Sequence, residues 1–214
     1  MRSLVALSLD VRVSVEDSRL PGKGVVEGRA QLMHFEPTAI ADVVLIRPDV
    51  FNDGRGFFFE SWTESKFAAA GFRLPLVQDN HSHSTRHTLR GLHYQVQRPQ
   101  GKLVRVVRGA VFDVAVDVRR SSATFGCWVG TVLSEENHHV LWVPPGFAHG
   151  FLALSASADF LYRCTDYWAP ECERAIVWND PDLDIRWPLP HDAEPLLSTK
   201  DAAAALFRNA ECLP

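Results

Sequence analysis

The sequence predicts an all-β protein of the jelly-roll type, a barrel or sandwich with a few short peripheral helices. From residue 40 onward, short strand-like runs recur every 8 to 15 residues, separated by Gly, Pro and Asp. The run at 111–118 alternates strictly between two faces, and only two segments have helical character. Many short strands with few helices are typical of closed barrels and sandwiches.

The clearest predicted strand lies at 111–118. Its period of two assigns seven residues to two opposite faces, with Phe112, Val114, Val116 and Val118 on one and Asp113, Ala115 and Asp117 on the other. Similar apolar runs bounded by turn residues predict further strands at 43–47, 103–107, 128–133, 140–143, 151–154 and 160–164.

Two helices are expected. Ser61 and Glu64 have the spacing of a capping box, and they precede a helical run at 65–70 that Gly71 ends. A second, alanine-rich helix is expected at 200–207, near the end of the chain.

The length of 214 residues predicts one domain with an extension. Residues 1–32 mix charges with a Pro-Gly-Lys-Gly stretch and have no sustained period, so we expect a flexible N-terminal extension there. Residues 33–214 are then a single domain, and Met33 is an alternative start.

Composition and charge exclude several classes of protein. The chain is 46% hydrophobic and 22% charged, the balance of a globular protein. Its net charge of −4 lacks the basic excess of nucleic-acid-binding proteins. No apolar run is long enough to span a bilayer, so no membrane partner is expected. The four cysteines form no C-x-x-C pair, which favours reduced thiols in a cytoplasmic protein over a zinc or disulfide framework.

The densest polar cluster is QDNHSHS at 78–84, followed by LRGLHYQ at 89–95. Alternation along the second string assigns Leu89, Gly91, His93 and Gln95 to one face of a strand and Arg90, Leu92 and Tyr94 to the other. Taken alone, an inward-facing histidine is as compatible with a core residue whose hydrogen bonds are satisfied as with a functional residue. Further polar residues elsewhere in the barrel favour a functional cavity, namely Lys102, His149, Tyr162 and Asp201.

The spacing of Pro144, Gly146 and His149 is one of the two signatures of cupin barrels, in which the turn brings the histidine to the barrel mouth. A metal-bearing cupin carries H-x-H on an earlier strand, but here the corresponding residues are His93 and Gln95. Glutamine is a poor ligand for a transition metal, so none is expected at this position.

A second H-x-H pair, His81 and His83, lies on one face of its predicted strand, and His87 is nearby. These imidazoles are able in principle to chelate a metal. We interpret these histidines as the polar end of a strand and assign no metal ligands.

Eight ordered strings carry a resemblance to a known family. They are DGRGFFFE at 53–60, QDNH at 78–81, LRGLHY at 89–94, QGKLV at 100–104, GAVFDVAVDVR at 109–119, GFAHGF at 146–151, WNDP at 178–181 and KDA at 200–202. Together they span about three quarters of the chain, from about residue 40 to 203. The chain resembles the dTDP-4-dehydrorhamnose 3,5-epimerases, which are cupin-fold enzymes of dTDP-rhamnose and surface-polysaccharide biosynthesis.

The resemblance implies a catalytic set of four residues and no cofactor. His93 is at the position of the base that removes a proton beside the substrate ketone. Asp201 matches the carboxylate that orients this base, and Lys102 matches the cation that stabilises the enolate. Tyr162 matches the acid that reprotonates the carbon from the opposite face, which inversion requires.

The resemblance also implies a binding set for a dTDP-4-keto-6-deoxy sugar and a homodimer with shared edge strands. The binding positions are Arg55, Glu60, Gln78, Asn80, Arg90, Lys102, His149, Glu173 and Lys200. Arginines suit a diphosphate because the planar guanidinium matches its oxygens. Two of these residues also have a purely structural interpretation. Arg55 is compatible with the end of a glycine-rich turn, and Glu173 with a solvated charge on a loop.

Two other functions remain open at this point. One is a 3-epimerase, a 5-epimerase or a ketoisomerase on the same scaffold, because Trp168 follows Tyr167 where many relatives carry a second tyrosine. The other is a sugar-nucleotide-binding cupin without turnover. The joint presence of a base, an acid and a cation argues against this second alternative, because binding alone does not need them.

Overall fold

The computed structural model of the chain describes residues 33–73 and 75–214. The predicted N-terminal extension, residues 1–32, lies outside the described residues. The strands are β1 (Met33–Pro37), β2 (Val44–Pro48), β3 (Phe51–Asp53), β4 (Gly56–Phe58), β5 (Gln78–Thr85), β6 (Leu89–Gln95), β7 (Lys102–Arg108), β8 (Ala110–Asp117), β9 (Trp128–Ser134), β10 (Val140–Val143), β11 (Phe147–Ala153), β12 (Ser157–Cys164) and β13 (Glu173–Ala175). The α-helices are α1 (Glu64–Ala69) and α2 (Thr199–Ala202), and 3₁₀ turns lie at Pro170–Cys172 and Phe207–Asn209.

Two antiparallel sheets form the jelly roll that the sequence predicts. One has six strands in the order β1-β2-β10-β7-β12-β5, and the other has five in the order β13-β6-β11-β8-β9. Strands β3 and β4 form a separate hairpin. Strand β5 therefore ends the six-stranded sheet, while β6, which follows it in the chain, belongs to the other sheet.

The main core lies between the two sheets and includes Val104 and Phe160 from one and Ala115 and Phe151 from the other. A second apolar cluster covers the outer face of the five-stranded sheet with the C-terminal segment. A third packs α1 onto the outer face of the six-stranded sheet through Phe67. The two faces predicted for 111–118 are confirmed, because Val114 and its alternates pack in the second cluster while Ala115 packs in the main core.

The predicted strands are present, with one difference that affects a candidate residue. The strand predicted at 151–154 begins earlier, at Phe147, so His149 lies inside β11 rather than on the turn before it. His149 is buried there. The expectation that His149 lies on the turn is therefore wrong, although it is directly opposite His93, which lines the cavity.

Both helices differ from the prediction in detail. Helix α1 begins after Thr63 without a side-chain cap, so the capping-box interpretation is wrong. Helix α2 has only four residues, and the hydroxyl of Ser198 accepts a hydrogen bond from the backbone N–H of Asp201. The chain then becomes extended, since Ala205 forms a bridge with Ile176, and this pairing overrides the helical propensity of the alanines. Within the described residues, no helix is long and apolar enough to cross a membrane.

The alternation predicted along β6 holds on only one side of a register shift. His93 lies opposite His149 of β11, but Arg90 lies opposite Phe151, so β6 has one extra residue between these two pairs. Directly opposite residues of antiparallel strands share a face. Arg90 and His93 are therefore both on the inner face of the five-stranded sheet, where Arg90 remains solvent-exposed, and their assignment to opposite faces is wrong.

Candidate active site

A cavity of about 310 Å³ opens at one end of the barrel, between the two sheets. Strands β5, β7 and β12 form one wall, and β6 and β13 form the other. Polar and aromatic side chains dominate the lining, which consists of Gln78, Asn80, His93, Tyr94, Gln95, Gln100, Lys102, Tyr162, Trp168 and Glu173. Six of the twelve sequence-predicted site residues lie in this lining: Gln78, Asn80, His93, Lys102, Tyr162 and Glu173.

His93 and Asp201 form a short hydrogen bond at the edge of the cavity, with 2.5 Å between Nε2 and Oδ1. Asp201 is buried, and burial by itself raises the pKa of its carboxyl group. The hydrogen bond and charge of His93 outweigh this effect and hold the pKa of Asp201 below its usual value. An ionised carboxylate only accepts hydrogen bonds, so Nε2 carries the proton and Nδ1 is left to accept another.

Lys102 lies on the opposite sheet, and its Nζ donates to the backbone carbonyl of His93 at 3.3 Å. Burial lowers the pKa of this ammonium group, while the carboxylates of Asp113 and Glu173 partly offset the effect. A buried cation with few polar partners interacts strongly with any negative charge that develops in the cavity.

Tyr162 faces the cavity from β12, across from His93 on β6. Burial raises the pKa of its phenol, and the positive charge of Arg90 offsets only part of this effect. The hydroxyl group therefore stays protonated at neutral pH. An imidazole and a protonated phenol thus stand on opposite walls of one cavity.

Charged and aromatic groups meet at the rim around Glu173. Its carboxylate accepts from Lys200 Nζ at 2.5 Å and from Trp168 Nε1 at 3.2 Å. Burial acts to raise the pKa of Glu173, but these two donors keep it below its usual value. Trp168 is 56% exposed, and its backbone N–H donates to Gln78. Lys200 does not line the cavity, but its ion pair with Glu173 connects it to the lining.

Three amide side chains of the cavity lining bind neighbouring groups. Gln78 donates to Asn80 at 3.0 Å, and Asn80 contacts Cys164 Sγ at 3.7 Å. Gln95, at the position where a metal-bearing cupin has its second histidine, binds backbone atoms of Arg98 and Ala169. Its side-chain amide therefore holds the backbone of the loops at Arg98 and Ala169.

Two candidates from the barrel strands lie beside the cavity rather than in its lining. His149 Nε2 lies 2.9 and 3.0 Å from the two oxygens of the fully buried Asp113. Arg90 donates from Nε to Ser84 Oγ at 3.0 Å and from Nη2 to the carbonyl of His83 at 3.1 Å.

The structure does not bring Arg55 and Glu60 to the cavity lining. Arg55, on the β3–β4 turn, has 91% of its side chain exposed and pairs with Asp53. Glu60 pairs with Lys66 of α1 at 2.6 Å.

The second H-x-H pair lies on one face of β5, as predicted. His81 and His83 both contact Oδ1 of Asp159, at 3.2 and 2.9 Å. His87 lies in the following turn, where its backbone N–H donates to Ala153. In the described part of the chain, no group of three or more His, Cys, Asp or Glu side chains is arranged to hold a metal ion.

Five residues near the site are absent from the sequence-predicted set of site residues. Tyr94, Gln95, Gln100 and Trp168 line the cavity, and Asp113 partners His149. Asp113 lies inside a clear strand pattern, and a carboxylate on a buried face requires a partner. Trp168 has a sequence signal, since an aromatic residue replaces a tyrosine there. Gln100 has no signal apart from its place in the string QGKLV.

The sequence model of the dTDP-4-dehydrorhamnose 3,5-epimerase family matches residues 37–209. The chain belongs to this family. The match includes every lining residue of the cavity as well as Asp201 and the β3–β4 hairpin.

Individual relatives agree with this assignment. The dTDP-4-dehydrorhamnose 3,5-epimerase of Pseudomonas aeruginosa is 60% identical over 177 residues, which cover 82% of this chain and 97% of the relative. A dTDP-6-deoxy-D-glucose-3,5-epimerase of Legionella pneumophila, solved in complex with dTDP-4-keto-L-rhamnose, is 50% identical. It superimposes with a TM-score of 0.81 over 84% of this chain and 95% of its own.

The same cupin fold also occurs in a 3'-monoepimerase of Streptomyces bikiniensis, solved in complex with dTDP-quinovose. That protein is 36% identical, with a TM-score of 0.76 over 81% of this chain and 87% of its own. The fold of this epimerase family is thus shared by enzymes whose names specify epimerisation at one carbon and by enzymes whose names specify epimerisation at two.

Proposed function

We propose that the protein epimerises carbons 3 and 5 of dTDP-4-dehydro-6-deoxy-D-glucose and forms dTDP-4-dehydro-L-rhamnose. The observation that carries this proposal is the position of the His93–Asp201 pair on one wall and Tyr162 on the other, with Lys102 lining the same cavity. Inversion of a carbon centre needs a base on one face and an acid on the other, and this cavity has both.

The first step is removal of a proton from carbon 5 or carbon 3. Both carbons flank the ketone at carbon 4, so the electron pair that is left behind delocalises onto the carbonyl oxygen. Nδ1 of His93 accepts the proton, and Asp201 stabilises the positive charge on the imidazole. The products of this step are an enolate and a doubly protonated His93.

We assign to Lys102 the stabilisation of the negative charge on the enolate oxygen. Its ammonium group is buried and already lies against the backbone of His93. Stabilisation of developing charge by a fixed, desolvated cation is commonly the largest contribution to reactions of this type.

Tyr162 completes the inversion by donating its phenolic proton to the carbanion carbon from the opposite face. The phenolate and the imidazolium then exchange protons with solvent, which returns both groups to their starting states. Two such cycles invert two carbons without a change in oxidation state, so the chemistry requires neither a redox cofactor nor a metal.

The nucleotide contacts are proposed from charge and position. Arg90 and His149 would bind the diphosphate or the sugar, and Gln78, Asn80, Glu173 and Lys200 the remaining polar groups. The exposed indole of Trp168 at the rim offers a flat surface on which thymine can stack.

A homodimer explains the position of Arg55 and Glu60. In the β3–β4 hairpin, Phe51 lies opposite Phe58, and the two rings are 52% and 70% exposed. Paired exposed phenylalanines support burial against a second copy of the chain. Strand β5 is a sheet edge next to the cavity, and a partner hairpin beside it would deliver Arg55 and Glu60 to the site.

The reaction suits the cytoplasm, where we place the protein. All four cysteines are unpaired, which supports a reducing compartment. We also propose that residues 33–214 form the whole catalytic domain, which is supported by the family match from residue 37 to residue 209.

Single-carbon epimerisation is the second candidate. It is favoured by Trp168, which lines the cavity where many relatives carry a tyrosine, and by the similarity to the 3'-monoepimerase. The test is to incubate the purified protein with dTDP-4-keto-6-deoxyglucose, trap the products with borohydride and identify the sugars. Rhamnose supports double epimerisation, a sugar inverted at one carbon supports the second candidate, and unchanged configuration contradicts both.

A further inference from the structure

The pairing of β6 with β11 contains a one-residue irregularity in the middle of the site. His149 pairs with His93, whereas Phe151 pairs with Arg90 and Leu152 with Leu89. An uninterrupted antiparallel register from the first pair would place Arg90 opposite Leu152. One extra residue of β6 is therefore accommodated between Arg90 and His93, as in a β-bulge.

The extra residue changes which way Arg90 points. In regular alternation, residues three apart on a strand face opposite sides of the sheet. Here Arg90 shares the inward face with Phe151, a member of the main core, and His93 shares it with His149.

Two contacts of Arg90 agree with this inward orientation. Its Nε donates to Ser84, a buried residue on the inner face of β5. Its positive charge is also close enough to Tyr162 to lower the pKa of that phenol, against the larger effect of burial. One strand thus supplies both an arginine, which remains solvent-exposed, and a histidine to the same face of the sheet.

Two glycines make this irregularity possible. A Cβ atom on Gly91 would lie 2.5 Å from the Cα of Gly150, and the backbone of Gly91 has a φ of +136°, which side chains disfavour. A Cβ atom on Gly150 would lie 2.7 Å from the carbonyl oxygen of Arg90. The clashing atoms are backbone atoms, so neither methyl group fits unless the two strands move apart.

We propose that Gly91 and Gly150 are positioning residues for the epimerase site. Their close approach maintains the bulge that lets β6 present the phosphate-binding Arg90 and the base His93 on one face. The assignment of these two roles rests on the proposed function, but the placement of the two side chains does not.

The test compares Gly150→Ala and Gly91→Ala with the control Gly109→Ala. Gly109 has a φ of +73°, and its Cβ would lie 2.1 Å from a backbone oxygen of Ser157. The control is therefore also strained, but it lies at the far end of β7 from Lys102. All three variants are expected to melt at lower temperature than the unaltered protein.

Only the two site variants are expected to change function while folded. A displacement of about 1 Å costs about a hundredfold in the rate of proton exchange. Loss of a charged hydrogen bond from Arg90 weakens dTDP binding by about tenfold. The deshielded proton of the His93–Asp201 hydrogen bond, observed by NMR, should shift or disappear in both site variants and remain in the control.

Two results overturn the proposal. One is a folded Gly150→Ala or Gly91→Ala protein that keeps the exchange rate, the dTDP affinity and the deshielded proton. The other comes from the unaltered protein and needs no variant to fold: cross-strand backbone NOEs that join Arg90 to Leu152 instead of Phe151. If the unaltered protein catalyses no exchange, the proposed function fails, but dTDP affinity, the His93 proton and these NOEs still decide the role of the glycines.

Discussion

The imidazole of His93 and the carboxylate of Asp201 are in short hydrogen-bond contact, although the two residues are 108 positions apart in the chain. The contact joins β6 to α2, whose first turn is fixed by the bond from Asp201 N–H to Ser198. It fixes the tautomer of the histidine, since Nε2–H donates to the carboxylate. The nitrogen that remains for proton abstraction is Nδ1.

Replacement of Asp201 by Asn should stop catalysis while leaving nucleotide binding. A neutral amide no longer favours the charged imidazole and also permits the wrong tautomer. We expect kcat to fall by about 10³-fold or more. The affinity for dTDP, measured by calorimetry, should change by less than about twofold, because Asp201 acts on the base and not on the nucleotide. A variant with near-normal kcat would exclude the assigned role of Asp201.

The activity should fall on the alkaline side at a pH below the ordinary lysine pKa of 10.5. Burial disfavours the charged form and lowers the pKa of Lys102, so the cation is lost as the pH rises through that lowered value. Tyr162 does not cause this limb, because its pKa is raised above 10.0. In pH–rate profiles, Lys102→Arg should move the limb upward and Tyr162→Phe should not. An unchanged limb in Lys102→Arg assigns it to another group.

Replacement of Tyr162 by Phe should separate proton exchange from inversion. His93 still removes a proton and can return a solvent deuteron to the same face, but no acid acts on the other face. Inverted product should fall by about 10²-fold or more. The recovered sugar should contain deuterium with its original configuration, as seen by NMR and mass spectrometry. Normal yields of inverted product would show that another group is the acid.

Mixing two inactive variants should restore activity if Arg55 acts on the partner's cavity. In an equal mixture of Arg55→Ala and His93→Asn, half of the dimers are mixed, and each mixed dimer has one intact site. We expect about one quarter of the unaltered activity after subunit exchange. Native mass spectrometry should confirm the exchange. If mixed dimers form and remain inactive, Arg55 does not serve the partner's site.

The strands and most of the residues that meet at the cavity could be predicted from sequence, because both depend on local strings. The alternation at 111–118 indicates its own two faces, and the strings around His93 and Lys102 carry the family resemblance. The contact between His93 and Asp201 was predictable only through that resemblance, since nothing local joins the two strings.

The face of Arg90 could not be predicted in this way. Alternation assigns faces only along an uninterrupted ladder, and the interruption depends on Gly150, on a different strand. The length of α2 was overestimated for a similar reason, since pairing with Ile176 ends the helix. The position of Arg55 and Glu60 outside the cavity lining was also unpredictable, because a local string does not indicate where its residues lie relative to other segments of the fold.

We propose that His93 and Tyr162 exchange protons at two carbons of one substrate. The most direct measurement is NMR of dTDP-4-keto-6-deoxyglucose incubated with the protein in deuterated water. We predict deuterium at both carbon 3 and carbon 5, and no incorporation with His93→Asn. Binding of the substrate by the unaltered protein without deuterium at either carbon would contradict the account.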